Sequence, residues 1–254
     1  PTHIEDVYRK ETGTKLTCFN IGMPALTLDA SGPVAKALVH RFQPRLLVFI
    51  LSPRDFVPKY GEVYRHIASS AWVKQNLGET SLKGWAVNSS FSYRYLLAFQ
   101  YWLNPANREK MITSSNAISP MGFSPVHGFR TPGRVYGTQP DYDFYEAESQ
   151  KGLAQLLQIH NDEVSLLIID APIQPDYHPL YLESPDNYHN TYITPLENML
   201  SPLEIPFWLT DKLSETIPDE AWYDPMHVNE KGVPVFSIWL GEELAENYPP
   251  GFFK

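Results

Sequence analysis

The chain has 254 residues, 43% hydrophobic and 19% charged, a composition that favours one large globular α/β domain or two small ones. Its net charge of −9 argues against a basic surface for nucleic acid, and its single cysteine, Cys18, excludes an internal disulfide. The longest apolar run, Leu46–Leu51, has the length of a buried strand, not of a membrane helix.

The N-terminal part of the chain predicts a βαβ unit. Polar residues 3–11 indicate a short helix that ends at Gly13, a typical C-cap residue. Residues 15–20 indicate a strand, residues 29–42 a helix, and residues 45–51 a second strand. This order, with short links, is typical of parallel strands.

The alternation is interrupted after the second strand and returns near residue 140. We predict one domain over residues 1–254, with a helical and loop insertion at about 57–140 that caps one end of the sheet. The elements predicted in and after the insertion are helices at 64–75 and 82–103, a loop at 114–140, a helix at 143–159, a strand at 164–170, a helix at 188–199, a strand at 205–209 and a terminal helix from 232.

The strongest functional signal is the pair Asp224 and His227, three residues apart near the C-terminus. A carboxylate can orient an imidazole, and the imidazole can then take a proton from a hydroxyl nucleophile. The spacing alone also occurs in surface polar clusters. Its aromatic flanks and the turn signal of Asn229 and Gly232, which begins a helix, favour a catalytic histidine over a structural one.

Two further segments follow predicted strands, where parallel sheets bind ligands. In residues 20–27, a backbone amide could serve as an oxyanion donor, or Gly22 could simply allow a βα turn. In residues 52–56, Arg54 could stabilise an oxyanion or hold an anionic substrate group, or it could pair with a neighbouring carboxylate. No histidine has the tight spacing that makes a metal site specific, so no metal is predicted.

Together these segments resemble the conserved blocks of the SGNH (GDSL-like) hydrolase superfamily. Residues 20–27 resemble the block Asn-x-x-x-x-Gly-x-Thr, with Asn20 and Gly22 in the loop and Ala25 at the oxyanion glycine. Ser-Pro-Arg-Asp at 52–55 stands where Gly-x-Asn-Asp is usual, so that Arg54 replaces the oxyanion asparagine. The variation is similar to a branch of bacterial cell-envelope proteins that includes O-acyltransferases and D-alanyl transfer proteins.

The resemblance implies a flavodoxin-like three-layer α/β sandwich with a mostly parallel sheet, whose first strand and nucleophilic serine precede Pro1. It implies an acyl esterase or O-acyltransferase that acts on a cell-surface glycan, without a cofactor, in an extracytoplasmic location. An acylated glycan or acyl donor would be the substrate, and a membrane-bound acyltransferase could be a partner. The alternative is a degenerate scaffold that binds a glycan or a protein partner without catalysis.

The resemblance also predicts a gap in the sheet. The nucleophile strand of this fold lies between the strands that correspond to residues 15–20 and 45–51. Without it, backbone groups of both neighbours would stay unpaired, so residues 15–20 and 45–51 are not expected to bond to each other directly.

Overall fold

The fold was obtained as a computed structural model, and the structure describes residues 1–23, 26–57, 65–109, 147–161, 163–175 and 185–253, with residues 112, 128, 144 and 145. The chain has α/β architecture. Its helices are α1 (Thr2–Thr12), α2 (Leu28–Phe42), α3 (Arg65–Ala68), α4 (Ala71–Asn76), α5 (Leu82–Ser89), α6 (Phe91–Trp102), α7 (Ala147–Leu157), α8 (Pro185–Tyr188), α9 (Thr194–Leu200), α10 (Asp211–Thr216) and α11 (Gly232–Asn247). Its strands are β1 (Leu46–Leu51), β2 (Ser165–Asp170), β3 (Phe207–Trp208), β4 (Trp222–Asp224) and β5 (His227–Val228).

The main sheet has three parallel strands in the order β1-β2-β3. Leu46 pairs with Ser165 and Leu51 with Asp170, so β1 and β2 end at the same level. Since parallel strands run in one direction, their carboxyl ends form one edge of the sheet. This edge is where ligands bind in open α/β sheets.

Strand β2 is the centre of the hydrophobic core. Leu166 and Ile168 pack on one face with residues of α2 and α7, while Leu167 and Ile169 pack on the other face with α1 and α11. All four side chains are fully buried, which explains an uninterrupted apolar run where a half-exposed strand would alternate. Helices on both faces therefore hold the sheet rigid beneath its carboxyl edge.

Strand β1 has one neighbour in the sheet. It pairs with β2, and within the described residues no second strand lies on its other side. Its sequence is wholly apolar, as is typical of a parallel strand with both faces covered, yet Ile50 is 46% exposed. Residues 15–20 form no ladder with β1 within the described residues. The expected gap between two strands stays a prediction, because one of its two flanking strands is not formed.

The prediction of a strand at 15–20 is wrong. The segment belongs to no strand, and the amide of Cys18 donates to the Glu5 carboxylate over 2.6 Å. Leu16 is buried and Cys18 partly buried beneath α1 and α11. These apolar residues therefore contribute to the core, although the segment has no strand partner within the described residues.

The helices predicted at 64–75 and 82–103 are each divided in two. Ser70 and Ser90 are the reason, since each hydroxyl accepts a hydrogen bond from the amide three residues ahead and so begins a new helix. Of the predicted insertion loop, 114–140, only Gly128 is among the described residues.

Candidate functional site

Asp224 and His227 lie at the two ends of a tight turn between β4 and β5, and they face each other across this antiparallel pair. The ring nitrogen Nδ1 of His227 is 2.8 Å from Oδ1 and 3.0 Å from Oδ2 of Asp224. The amide of Met226 donates to the same Oδ1 over 2.9 Å. The turn thus holds the carboxylate and the imidazole in direct contact.

This contact determines which ring nitrogen can act as a base. An ionised carboxylate only accepts hydrogen bonds, so the proton of the neutral imidazole lies on Nδ1 and the lone pair on Nε2. Asp224 is 5% exposed, whereas the side chain of His227 is 50% exposed. The dyad therefore presents a basic nitrogen at the protein surface with its counter-ion buried behind it.

The pKa of Asp224 is lower than its ordinary value. Burial by itself raises this pKa, but the hydrogen bond and the charge of His227, with the amides of Met226 and His227, favour the carboxylate more strongly. Asp224 is therefore ionised throughout the neutral range, as an orienting residue must be.

Asn229 fixes the turn from the side that faces the protein. Its buried amide nitrogen donates to the carbonyls of Glu220, Trp222 and Gly128 over 2.8, 3.2 and 3.1 Å, and its Oδ1 accepts from the amide of Lys231 over 2.9 Å. This side chain joins the entry to β4 with the start of α11. The sequence indicates Asn229 as a turn residue, but it does not indicate these long-range contacts.

The dyad lies beside the carboxyl edge of the main sheet. The segment after β2 connects the two: the amide of Ala171 donates to the carbonyl of Leu51, and the amide of Gln174 donates to the carbonyl of Pro225 in the dyad turn. Three residues of extended chain span at most about 10 Å. The end of β1 and the turn that carries His227 are therefore neighbours along this edge.

At the end of β1, Ser52 and Asp55 form a capping box for the 3₁₀ turn Pro53–Phe56. The hydroxyl of Ser52 donates to Oδ2 of Asp55 over 2.8 Å, and burial raises the pKa of Asp55 to about 6 against the effect of these bonds. Ser52 is buried and bonded to Asp55, so it is not a candidate nucleophile for His227. Arg54 is partly buried in the same turn.

The other predicted site residues lie before α2. The side chain of Asn20 accepts a hydrogen bond from the amide of Gly22 over 2.9 Å, and both residues are exposed. Ala25 lies outside the described residues. The structure thus brings Asp224 and His227 together, and Asn20 and Gly22 together, while the oxyanion roles of Ala25 and Arg54 stay predictions.

Asp170, at the carboxyl end of β2, was not predicted from the sequence. It is buried, and the hydroxyl of Tyr188 donates to its Oδ1 over 2.6 Å. Burial raises its pKa well above the ordinary value; the hydroxyls of Tyr188 and Tyr192 oppose this effect, and the charge of Asp211 adds to it. The only sequence signal is an acidic residue that ends an apolar run.

Replacing Asp170 with asparagine is expected to stabilise the protein most at alkaline pH. Because the pKa of Asp170 is raised on folding, the stability linked to its protonated form is complete below its unfolded pKa and is lost as the pH rises through the folded pKa. Asparagine does not titrate and keeps an acceptor for Tyr188. Urea unfolding of both proteins at about pH 5 and about pH 8 measures the difference in their free energy of unfolding at each pH.

The control for this prediction is Asp186→Asn, because Asp186 is an exposed acid on the same helix as Tyr188. Its stability relative to the wild type should be similar at both pH values. An Asp170→Asn protein whose stability relative to the wild type is the same at both pH values would contradict a pKa that is raised on folding.

Within the described residues, no group of three or more His, Cys, Asp or Glu side chains is arranged to hold a metal ion. The chain was compared with protein-family models, with curated proteins and with solved structures, and none of the three comparisons found a match.

Proposed function

We propose that this chain is the SGNH-like domain of an acyl esterase or O-acyltransferase that acts on a cell-surface glycan in an extracytoplasmic location. The observation that carries the proposal is the dyad, in which Asp224 orients Nδ1 of His227 and leaves Nε2 as the base. The same arrangement of carboxylate and imidazole activates a serine in acyl-transfer enzymes. The coarse α/β architecture is compatible with a flavodoxin-like sandwich.

In the proposed reaction, Nε2 of His227 takes the proton of a serine hydroxyl as its oxygen attacks the acyl carbonyl. The resulting imidazolium, paired with the ionised Asp224, returns the proton to the leaving oxygen. The acyl-enzyme then passes its acyl group to water or to a glycan hydroxyl by the reverse sequence. No cofactor takes part in these steps.

The serine is proposed to come from a segment that precedes Pro1 in the full-length protein and pairs with the open edge of β1. This edge supports the proposal because β1 is wholly apolar and has a neighbour on one side only within the described residues. A strand there would end at the carboxyl edge of the sheet. The amide of Ala25 and the guanidinium of Arg54 are the proposed oxyanion donors, and one such donor is typically worth about 3 kcal/mol.

The proposal is tested by labelling the full-length protein with a fluorophosphonate, which reacts with activated serines. His227→Ala is expected to slow labelling by about a thousandfold or more, because the serine loses its base. The matched control is His3→Ala, an exposed histidine on α1, which should label at the wild-type rate.

The test also decides between catalysis and binding alone. A folded full-length protein that does not label would support a scaffold that binds a glycan or a protein partner and would contradict the enzyme. Labelling that persists unchanged in His227→Ala would show that a reactive serine is present but does not depend on the dyad.

A further inference from the structure

The helix α6 is apolar yet lies at the protein surface. It contains no buried residue, although eight of its twelve residues are either aromatic or leucine: Phe91, Tyr93, Tyr95, Leu96, Leu97, Phe99, Tyr101 and Trp102. A helix with such a composition is usually covered by a core, a partner or a membrane. Exposed apolar surface of this kind marks an interaction site.

Four exposed aromatic side chains of α6 are here called the aromatic stripe: Phe91, Tyr95, Phe99 and Trp102. Their spacing of four, four and three residues places them on one face of the helix. They are 65%, 62%, 54% and 39% exposed, respectively. Phe91 contacts Tyr95 with ring centroids 4.6 Å apart, and Phe99 stacks on Trp102 at 6.0 Å.

Basic side chains accompany the aromatic stripe. The guanidinium of Arg94 lies 5.7 Å from the ring centre of Phe91, and that of Arg108 lies 4.1 Å from the ring centre of Trp102. On the preceding helix α5, Lys83 is exposed next to the exposed Leu82 and Trp85. Residues 79–109 contain these three basic residues and an acidic residue at each end, Glu79 and Glu109, so the segment carries a net charge of +1 in a chain whose net charge is −9.

We propose that the aromatic stripe, with its basic neighbours, docks onto the surface of an anionic lipid bilayer. Aromatic residues favour the boundary between headgroups and acyl chains, and lysine and arginine at that depth reach the negative headgroups. The positive charge of this segment, set against an acidic protein, gives the complementarity for such a surface. Aromatic residues and arginine are also frequent in protein interfaces, so a second copy of the chain is the other occupant that the experiment below distinguishes.

The size of α6 indicates how it would bind. Twelve residues of helix extend about 18 Å, which is shorter than the hydrocarbon core of about 30 Å. No helix in the described part of the chain reaches the length and apolarity needed to cross a bilayer. The stripe would therefore lie along the interface, with its rings among the headgroups. This inference does not depend on the proposed acyl chemistry.

Co-sedimentation of the 254-residue chain with vesicles tests the proposal, at about 0.1 M salt where the screening length is about 10 Å. Binding to vesicles of equal parts phosphatidylglycerol and phosphatidylcholine should exceed binding to pure phosphatidylcholine about tenfold or more. Each basic residue at an anionic surface typically contributes about a fivefold gain in affinity. The double variant Lys83→Gln/Arg94→Gln should therefore bind anionic vesicles about 25-fold more weakly.

The variant Phe91→Ser/Phe99→Ser tests the apolar contribution and should bind about tenfold more weakly or worse. Its matched control is Phe42→Ser, because Phe42 at the end of α2 is also 65% exposed. Circular dichroism checks that each variant is folded. If the stripe variant is not folded, the charge variant decides the proposal.

Three results would overturn the proposal. The wild type could bind both vesicle types equally, or the stripe variant could bind anionic vesicles as well as the Phe42→Ser control. Alternatively, size-exclusion chromatography could show a dimer that the stripe variant converts to a monomer while vesicle binding stays unchanged. The last result would assign the stripe to a second copy of the chain.

Discussion

In the proposed triad, replacing Asp224 with asparagine is expected to lower turnover by about four orders of magnitude while the fold is retained. An asparagine amide can donate to Nδ1 of His227, and the neutral ring then carries its proton on Nε2. A ring in this tautomer has no lone pair facing the serine. Asparagine keeps the size of the side chain and an acceptor for the amide of Met226, so the turn is preserved.

The measurement is the steady-state hydrolysis of a chromogenic acyl ester. Because Asp224 acts through His227 and does not touch the substrate, kcat should fall while KM changes little. Asp219→Asn is the matched control, since Asp219 is an exposed acid that lies just before β4. A loss of less than about tenfold in Asp224→Asn would contradict a triad in which Asp224 sets the tautomer of His227.

Stability separates this orienting role from a merely structural one. The pKa of Asp224 is lowered on folding, so its contribution to the free energy of unfolding is present above its ordinary pKa of 3.8 and is lost as the pH falls through the folded pKa. The stability difference between the wild type and Asp224→Asn should therefore shrink under acidic conditions. The loss of activity at neutral pH should far exceed what this difference explains.

The parts of the fold that the sequence predicts well are those decided by local patterns. Strands β1 and β2 begin within one residue of their predicted starts and end where predicted, because each is a short apolar run that both helical layers bury. The contact of Asp224 with His227 is also local, since one turn spans the two residues between them. The left-handed conformation of Gly13, with φ of 71°, likewise ends α1 as predicted.

The parts that sequence reasoning missed depend on distant partners. Residues 15–20 have the apolar content of a strand, but a strand requires a neighbour, and within the described residues this segment pairs with none. Asp170 is a candidate site residue because it is buried and accepts a hydrogen bond from Tyr188, which belongs to a later helix. The carbonyls that accept from the Asn229 side-chain amide lie 7 to 101 residues away along the chain. Spacing along a sequence contains no direct information about such pairs.

The largest effect on stability is expected where α2 and α7 cross, because Gly32 and Gly152 bring the two backbones into contact. A Cβ atom on Gly152 would lie 2.0 Å from the carbonyl oxygen of Leu28, and one on Gly32 would lie 2.2 Å from the carbonyl oxygen of Gly152. The obstacle in both cases is backbone inside a helix, which cannot rotate away as a side chain can. The helices would have to separate, and the core residues Leu153 and Leu156 with them.

Gly152→Ala is therefore expected to lower the free energy of unfolding by about 3 kcal/mol, even though alanine favours a helix by about 1 kcal/mol over glycine. Urea denaturation measures the change as a lower midpoint with an unchanged slope. Gly251→Ala is the matched control, because its added Cβ would meet no atom within 4 Å. A Gly152→Ala protein within about 0.5 kcal/mol of the wild type would contradict this crossing.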